Sequence, residues 1–158
     1  MNPPLTGIKI ADFSRVLAGP YATMLLADLG AEVIKVERPG SGDDTRGWGP
    51  PFDSSGVSTY FLSVNRNKQG LSLDLSKVTD QQKALELINS SDVVVENFGP
   101  GGMEKYNLGY SKLIANNPNL IYCSISGFGT SDKATKLPGY DLLVQGMSGL
   151  MSITGGDE

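Results

Sequence analysis

Histidine is missing altogether from the 158 residues of this chain. Without it, no Ser-His-Asp triad, Cys-His dyad, histidine general base or histidine-liganded zinc can be assembled. Cysteine is nearly as scarce. Cys123 stands alone, which rules out an intramolecular disulfide and a cysteine-cluster metal site. That scarcity suits a cytoplasmic or otherwise intracellular protein, the mitochondrial matrix included. Positive charge is also short, with Lys+Arg 13 against Asp+Glu 17 and a net charge of −4. A nucleic-acid binder usually carries a basic face, so none is expected as a partner. No apolar run reaches the roughly 18 residues of a membrane span. Lys9, Asp12 and Arg15 interrupt any apolar core that a signal peptide would need.

What is present suits a soluble domain: 39% hydrophobic and 19% charged residues can bury a core. Short apolar runs alternate with amphipathic stretches. Strands are expected at 9–13, 32–37, 71–75, 92–98 and 120–126. Helices are expected at 20–29, 58–64, 79–90, 111–116 and about 140–151. Pro20 suits the first turn of its helix and Gly30 the residue past its end. Ala22, Leu25, Leu26 and Leu29 recur at i, i+3, i+4, i+7 and predict its buried face. Thr79 and Gln82 read as a capping box. Near-continuous apolar strands alternating with helices predict α/β architecture, a parallel sheet with helices on both faces. The whole chain reads as one α/β domain. The stretch 38–57 is long for a loop and rich in Gly, Pro, Asp and Ser, a sign of function or disorder.

In such a sheet, ligands bind beyond the carboxyl ends of the strands. Arg38 directly follows the second strand, where an arginine suits a ribose phosphate of NADP or CoA; it reads equally as a solvated surface charge. The GxGxxG fingerprint is missing after the first strand, which continues SRVLAGP, and Gly40-Ser41-Gly42 follows the wrong strand. NAD(P) is therefore disfavoured. Asn97-Phe98-Gly99 could offer an amide and backbone N–H groups to a ligand, or simply end the fourth strand. Trp48 and Tyr60 could cover a ligand or anchor the long loop. Cys123, mid-strand, reads as a buried small apolar residue. Asp141 opens the last helix, where a carboxylate stabilises the N-terminus.

These residues sit within longer stretches. PLTGIKIADFSRVLAGPYATMLLADLGAEVIKVERPGSGDDTRGWGPPF, SVNRNKQGLSLDL, SDVVVENFGPG, LIYCSISGFG and PGYDLLVQGMSGLMSITG together resemble the family III CoA-transferases, in order and at the family's spacing. Within that family the likeness is strongest to members that serve succinyl-CoA and glutarate, and it extends to those that serve formyl-CoA and oxalate. The resemblance implies a Rossmann-like fold, the N-terminal part of the family's large domain. It implies transfer of CoA from an acyl-CoA to a small carboxylic acid through an aspartyl-CoA intermediate, covalent carboxylate catalysis with no metal and no covalently bound cofactor. It implies a homodimer for the complete enzyme.

Carried over by position, the resemblance assigns coenzyme A contacts to Val16, Leu17, Ala18, Arg38, Leu73, Asp74, Asn97, Phe98, Gly99, Lys105 and Tyr140. Leu17 replaces a glutamine of the formyl-CoA enzymes. Lys105 replaces an arginine, keeping charge without the two-pronged geometry. A lysine contact of the family falls on Ser76, with Lys77 beside it. Asp141 is a supporting catalytic residue, since the family's nucleophilic aspartate lies in an ADLTTG-like segment expected beyond Glu158; Asp157 is not promoted to that role. Arg38, Asn97 and Lys105 are expected to share one cleft. Three other readings compete: a truncated, non-catalytic CoA-binding remnant; an acyl-CoA racemase of the same family, whose Gly-His-Asp motif here reads Gly139-Tyr140-Asp141; and an NADP-type binding domain.

Overall fold

The computed structural model describes residues 2–129, 131, 133 and 137–156. Asp157 lies outside them. Two compact units are present, residues 1–125 and 126–158.

The first unit is built on five strands: β1 (Lys9–Asp12), β2 (Glu32–Glu37), β3 (Lys68–Ser72), β4 (Val93–Glu96) and β5 (Ile121–Ser124). They form one sheet in the order β3-β2-β1-β4-β5. Every pairing is parallel. The chain leaves β1 for one edge, then crosses back past it to β4. The switch point between β1 and β4 is where such sheets open a crevice.

Alternation along the strands divides the side chains between two cores. Ala11, Phe13, Val36 and Val94 pack with Ala84, Leu87 and Ile88 of helix α3 (Val78–Asn89) and Leu113 of α4 (Tyr110–Asn116). Ile10, Val33 and Val95 face the other way, against Ala27 of α1 (Ala18–Asp28) and Ala31. Helix α2 (Thr59–Asn65) packs beside α1. Its N-terminus is capped by Ser58, whose Oγ accepts from the Phe61 amide.

Several expectations are corrected. The third strand starts at Lys68 rather than Leu71; it is a polar edge strand, KQGLS, that lacks the apolar run used to place it. The buried face of α1 is Gly19, Pro20, Thr23, Met24 and Ala27. Ala22, Leu25 and Leu29 are exposed and Leu26 only half-buried. The cause is Asp12, fully buried beneath the helix: Thr23 Oγ1 donates to its Oδ2 at 2.6 Å, which turns that face inward. Helix α3 starts from Lys77 with no side-chain cap, so Thr79 and Gln82 form no capping box. Cys123 is exposed, because β5 is an edge strand covered on little of its surface.

In the second unit, the single helix expected to about Met151 is two, α5 (Asp141–Met147) and α6 (Leu150–Ile153). Gly149 separates them at φ 81°, a left-handed conformation open to glycine. No described helix is long and apolar enough to cross a membrane.

Candidate coenzyme A cleft

The loops at the carboxyl ends of β1 to β4 enclose a cleft of about 350 Å³. Phe13 and Arg15 enter it after β1, Arg38, Gly42 and Asp43 after β2, Leu73 to Ser76 after β3, and Phe98 after β4, with Tyr106 behind them. Its floor is aromatic: Phe98 meets Tyr106 edge to face at 6.3 Å between ring centroids. Arg15 lies over the Phe98 ring at 5.2 Å, a cation–π arrangement. Arg38 Nη2 reaches Asp44 Oδ1 at 3.2 Å, and Arg15 Nη1 lies 3.8 Å from the other oxygen. Two guanidiniums thus converge at the cleft, one of them stacked on the Phe98 ring.

The long loop after β2 is ordered around a buried carboxylate, Asp43. Its Oδ1 accepts from the Thr45 amide at 3.0 Å and the Thr45 hydroxyl at 2.8 Å. Its Oδ2 accepts from Lys35 Nζ at 2.9 Å, and both oxygens lie 3.3 Å from the Val16 amide. Burial pushes the Asp43 carboxyl up, but the Lys35 hydrogen bond and charge, with the Thr45 groups, more than offset this and hold it below its ordinary value. Glu37 follows the same pattern: burial raises it, while Arg46, the Asp43 amide and Lys35 bring it below its ordinary value. Arg46 grips Glu37 with two bonds, 2.8 and 2.6 Å, and stacks 3.8 Å over the Phe61 ring. Gly42 at φ 64° lets the chain turn there; a Cβ would meet Arg46 Cδ at 2.6 Å.

A second buried ion pair lies under β1. Lys68 Nζ donates to Asp12 Oδ2 at 3.1 Å, to the Pro20 carbonyl at 2.8 Å and to Asn65 Oδ1 at 3.0 Å. Burial draws the Lys68 ammonium below its ordinary value, and Asp12 offsets only part of that. Among the described residues, no group of three or more metal-ligating side chains is present.

The sequence-assigned residues fall in different places. Arg38, Leu73, Asp74 and Phe98 line the cleft. Val16 is half-buried and is not a lining residue, though its amide meets the cleft-lining Asp43, while Leu17 and Ala18 are exposed at the start of α1. That helix has no side-chain cap and no acid in its first turn, which leaves its positive end open. Asn97 spends its amide on the backbone, accepting from Arg15 N at 2.8 Å and donating to Arg15 O at 2.7 Å. Asn97, Gly99 and Lys105 are not among the cleft-lining residues, and Gly99 and Lys105 are exposed. Tyr140 and Asp141 belong to the second unit, where Asp141 Oδ2 accepts from Gln145 Nε2 at 2.5 Å. Trp48 and Tyr60 pack at 5.4 Å and line a separate shallow depression with Pro50 and Pro51. Arg15, Phe13 and Tyr106 were not singled out from the sequence. Arg15 was legible as a basic residue directly after β1, but nothing in the pattern marked the two aromatics as floor rather than core.

Comparisons with known proteins bear on the family and the fold. A sequence profile of CoA-transferase family III matches residues 5–158. The succinyl-CoA:glutarate CoA-transferase of Mus musculus is 52% identical over 155 residues, which are 98% of this chain and 35% of that protein. The succinate–glutarate CoA-transferase of Agrobacterium fabrum is 50% identical over 159 residues, 98% of this chain and 40% of that protein. The chain thus spans little more than a third of the length of such relatives. A crystal structure of a CAIB/BAIF family protein from Brucella suis superposes with TM-score 0.93 at 48% identity, over 100% of this chain and 43% of the other. A protein described as a betaketoacyl-ACP reductase, 14% identical with TM-score 0.51, shares the fold alone. With the profile covering nearly every residue and close relatives of one kind, the chain belongs to CoA-transferase family III.

Proposed function

We propose that this chain forms the coenzyme A-holding part of a CoA-transferase that moves CoA from an acyl-CoA, succinyl-CoA by likeness to its relatives, to a small dicarboxylic acid. The carrying observation is the cleft at the carboxyl edge of the sheet. Phe98 and Tyr106 give the cleft apolar surface suited to an adenine ring, and Arg38, with Arg15 stacked on Phe98, suits the phosphates of CoA. The open N-terminus of α1 offers backbone N–H groups to a further phosphate. Leu73 and Asp74 supply the wall opposite. Val16, Leu17 and Ala18 then lie along the path of the pantetheine arm toward the thioester.

The transfer itself uses a carboxylate. It attacks the acyl-CoA carbonyl and expels CoA thiolate, leaving a mixed anhydride. The thiolate re-attacks that anhydride at the enzyme's carbonyl and releases the first acid. The acceptor carboxylate then attacks the enzyme thioester, expelling thiolate and forming a second mixed anhydride; the thiolate attacks the acceptor's carbonyl, forming the new acyl-CoA and freeing the enzyme's carboxylate. The complete enzyme acts in this reading as a homodimer.

The test is calorimetric titration with CoA and with NADP. CoA should bind and NADP should not. Arg38→Ala should weaken CoA by about 1–3 kcal/mol, the scale of a charge-assisted hydrogen bond. An unchanged dissociation constant would make Arg38 a surface charge. Preference for NADP would favour the dinucleotide reading.

A further inference from the structure

Val16 stands out from its surroundings. Its φ is 68°, left-handed, and it is β-branched. Such a residue avoids that region, and strain of this kind persists only where neighbours over-determine it. Three groups from three elements hold the segment around it. Asn97, following β4, takes both the amide and the carbonyl of Arg15. Lys35 of β2 donates to the Ser14 carbonyl at 2.9 Å. Asp43 accepts from the Val16 amide itself. Lys35 and Asp43 are bonded to each other, and their side chains are 2% and 0% exposed.

We propose that Asp43, braced by Lys35, is a positioning residue: it holds the Val16 amide and so fixes the turn Arg15–Ala18 in the shape that meets coenzyme A. The proposal rests on the CoA-binding reading above. A purely structural pair would be expected between core elements. This one instead joins a sheet strand to the two loops that carry the cleft-lining Arg15 and Asp43, and it closes on Val16, the strained residue next to Arg15. Asp43 is suited to the task because both its oxygens accept. Four donors converge on it: Lys35 Nζ, the Thr45 amide, the Thr45 hydroxyl and the Val16 amide. Asparagine at this position has one accepting oxygen and a donating NH₂. It must turn that NH₂ toward the Lys35 ammonium or toward Thr45 and Val16, donor against donor. Turned toward Thr45, the NH₂ faces the Val16 amide and the grip is lost; turned toward Lys35, it leaves the oxygen on Thr45 and Val16 but sets a donor against the ammonium and breaks the brace, with volume and shape kept in both cases. The turn then relaxes to a more ordinary φ, and Arg15 and the first N–H groups of α1 move with it. Buried ion pairs add little stability as such, because desolvation offsets their attraction; a fixed geometry is their better-attested use.

The test uses the full chain and has two arms. In the first, CoA affinity is measured for wild type, Asp43→Asn, Val16→Gly and the double variant. Glycine adopts a positive φ freely and needs no carboxylate to hold it there. Asp43→Asn should weaken CoA at least 10-fold in the wild-type background and less than 3-fold in the Val16→Gly background. Equal losses in both backgrounds would show that Asp43 acts otherwise than through residue 16, and would overturn the proposal, as would no loss in either. In the second arm, amide hydrogen exchange and the backbone ³J coupling of residue 16 are read by NMR on the wild-type protein without CoA. A protected Val16 amide with a left-handed coupling supports the brace; rapid exchange overturns it, even if Asp43→Asn fails to fold. Should wild type not bind CoA at all, the functional reading fails in the first arm, while the second still reports on the brace.

Discussion

Asp44 pairs with the two arginines that the proposed function gives to a ligand's phosphates. It is half-exposed and bonded to Arg38, with Arg15 close by, so it occupies the charge position between two guanidiniums that line the cleft. An entering phosphate must displace it or share them. Exposed pairs of this kind contribute only about 0–1 kcal/mol, so removing the carboxylate costs little stability and frees both arginines. Asp44→Asn should therefore tighten CoA by about 2- to 5-fold at low salt. The gain should shrink at about 1 M salt, where the screening length falls to about 3 Å. Titrations at two ionic strengths check this. Weaker binding of CoA by the variant would mean that Asp44 aims the arginines rather than blocking them.

At the level of elements, the segment from the end of β2 through Gly47 is held together by two buried or half-buried carboxylates, Glu37 and Asp43. Glu37 and Asp43 both titrate below their ordinary values of 4.5 and 3.8. A carboxylate whose folded value is lowered stabilises the native state fully above its unfolded value, and that contribution is lost as pH falls through the folded one. The melting temperature should accordingly hold above pH 4.5 and fall as acid carries Glu37 and Asp43 toward protonation. Glu37→Gln should melt lower at neutral pH but lose less on acidification. Parallel melting curves for the two proteins would show that the Glu37–Arg46 pair is not part of the response. This unit also marks the limit of sequence reading. The strand–helix alternation, the parallel sheet and Arg38 in the cleft were legible, because apolar runs and chain order carry them. The edge strand β3 was placed three residues late because its buried lysine is satisfied by Asp12, a contact no local pattern reveals. The inward face of α1 was misjudged for the same reason, since Thr23 counts as polar until its carboxylate partner is seen. Asn97 reads from the sequence as a ligand contact or a strand-ending turn; its two bonds to Arg15 are long-range, so no local pattern reveals them.

For the whole molecule, the remaining question is which carboxylate could attack a thioester. There is no histidine, and the one cysteine lies on an edge strand. A nucleophile needs an oxygen that is not already committed. Asp12 is held by Ser14, Thr23 and Lys68. Asp43 is held by Lys35, Thr45 and the Val16 amide. Glu96 is buried and accepts from the Phe98 amide at 2.7 Å. Asp74 is tied to Ser76, whose hydroxyl bond at 2.6 Å is the first cause of its lowered titration. Asp141 is the remaining candidate that sequence reasoning raised, and its Oδ2 is engaged by Gln145 at the start of α5. As a supporting group it should matter to rate without being indispensable. Asp141→Asn should slow succinyl-CoA to glutarate transfer by about 10- to 100-fold in the complete enzyme, with CoA affinity unchanged within error. Loss of a covalent nucleophile is far larger, commonly many powers of ten. Hydroxylamine trapping separates the two roles. If Asp141 supports, the variant still forms a trappable acyl-enzyme on exposure to succinyl-CoA, and the modified peptide lies elsewhere. If no adduct forms and transfer falls to the uncatalysed rate, Asp141 is the nucleophile and the division of labour proposed for this chain is wrong.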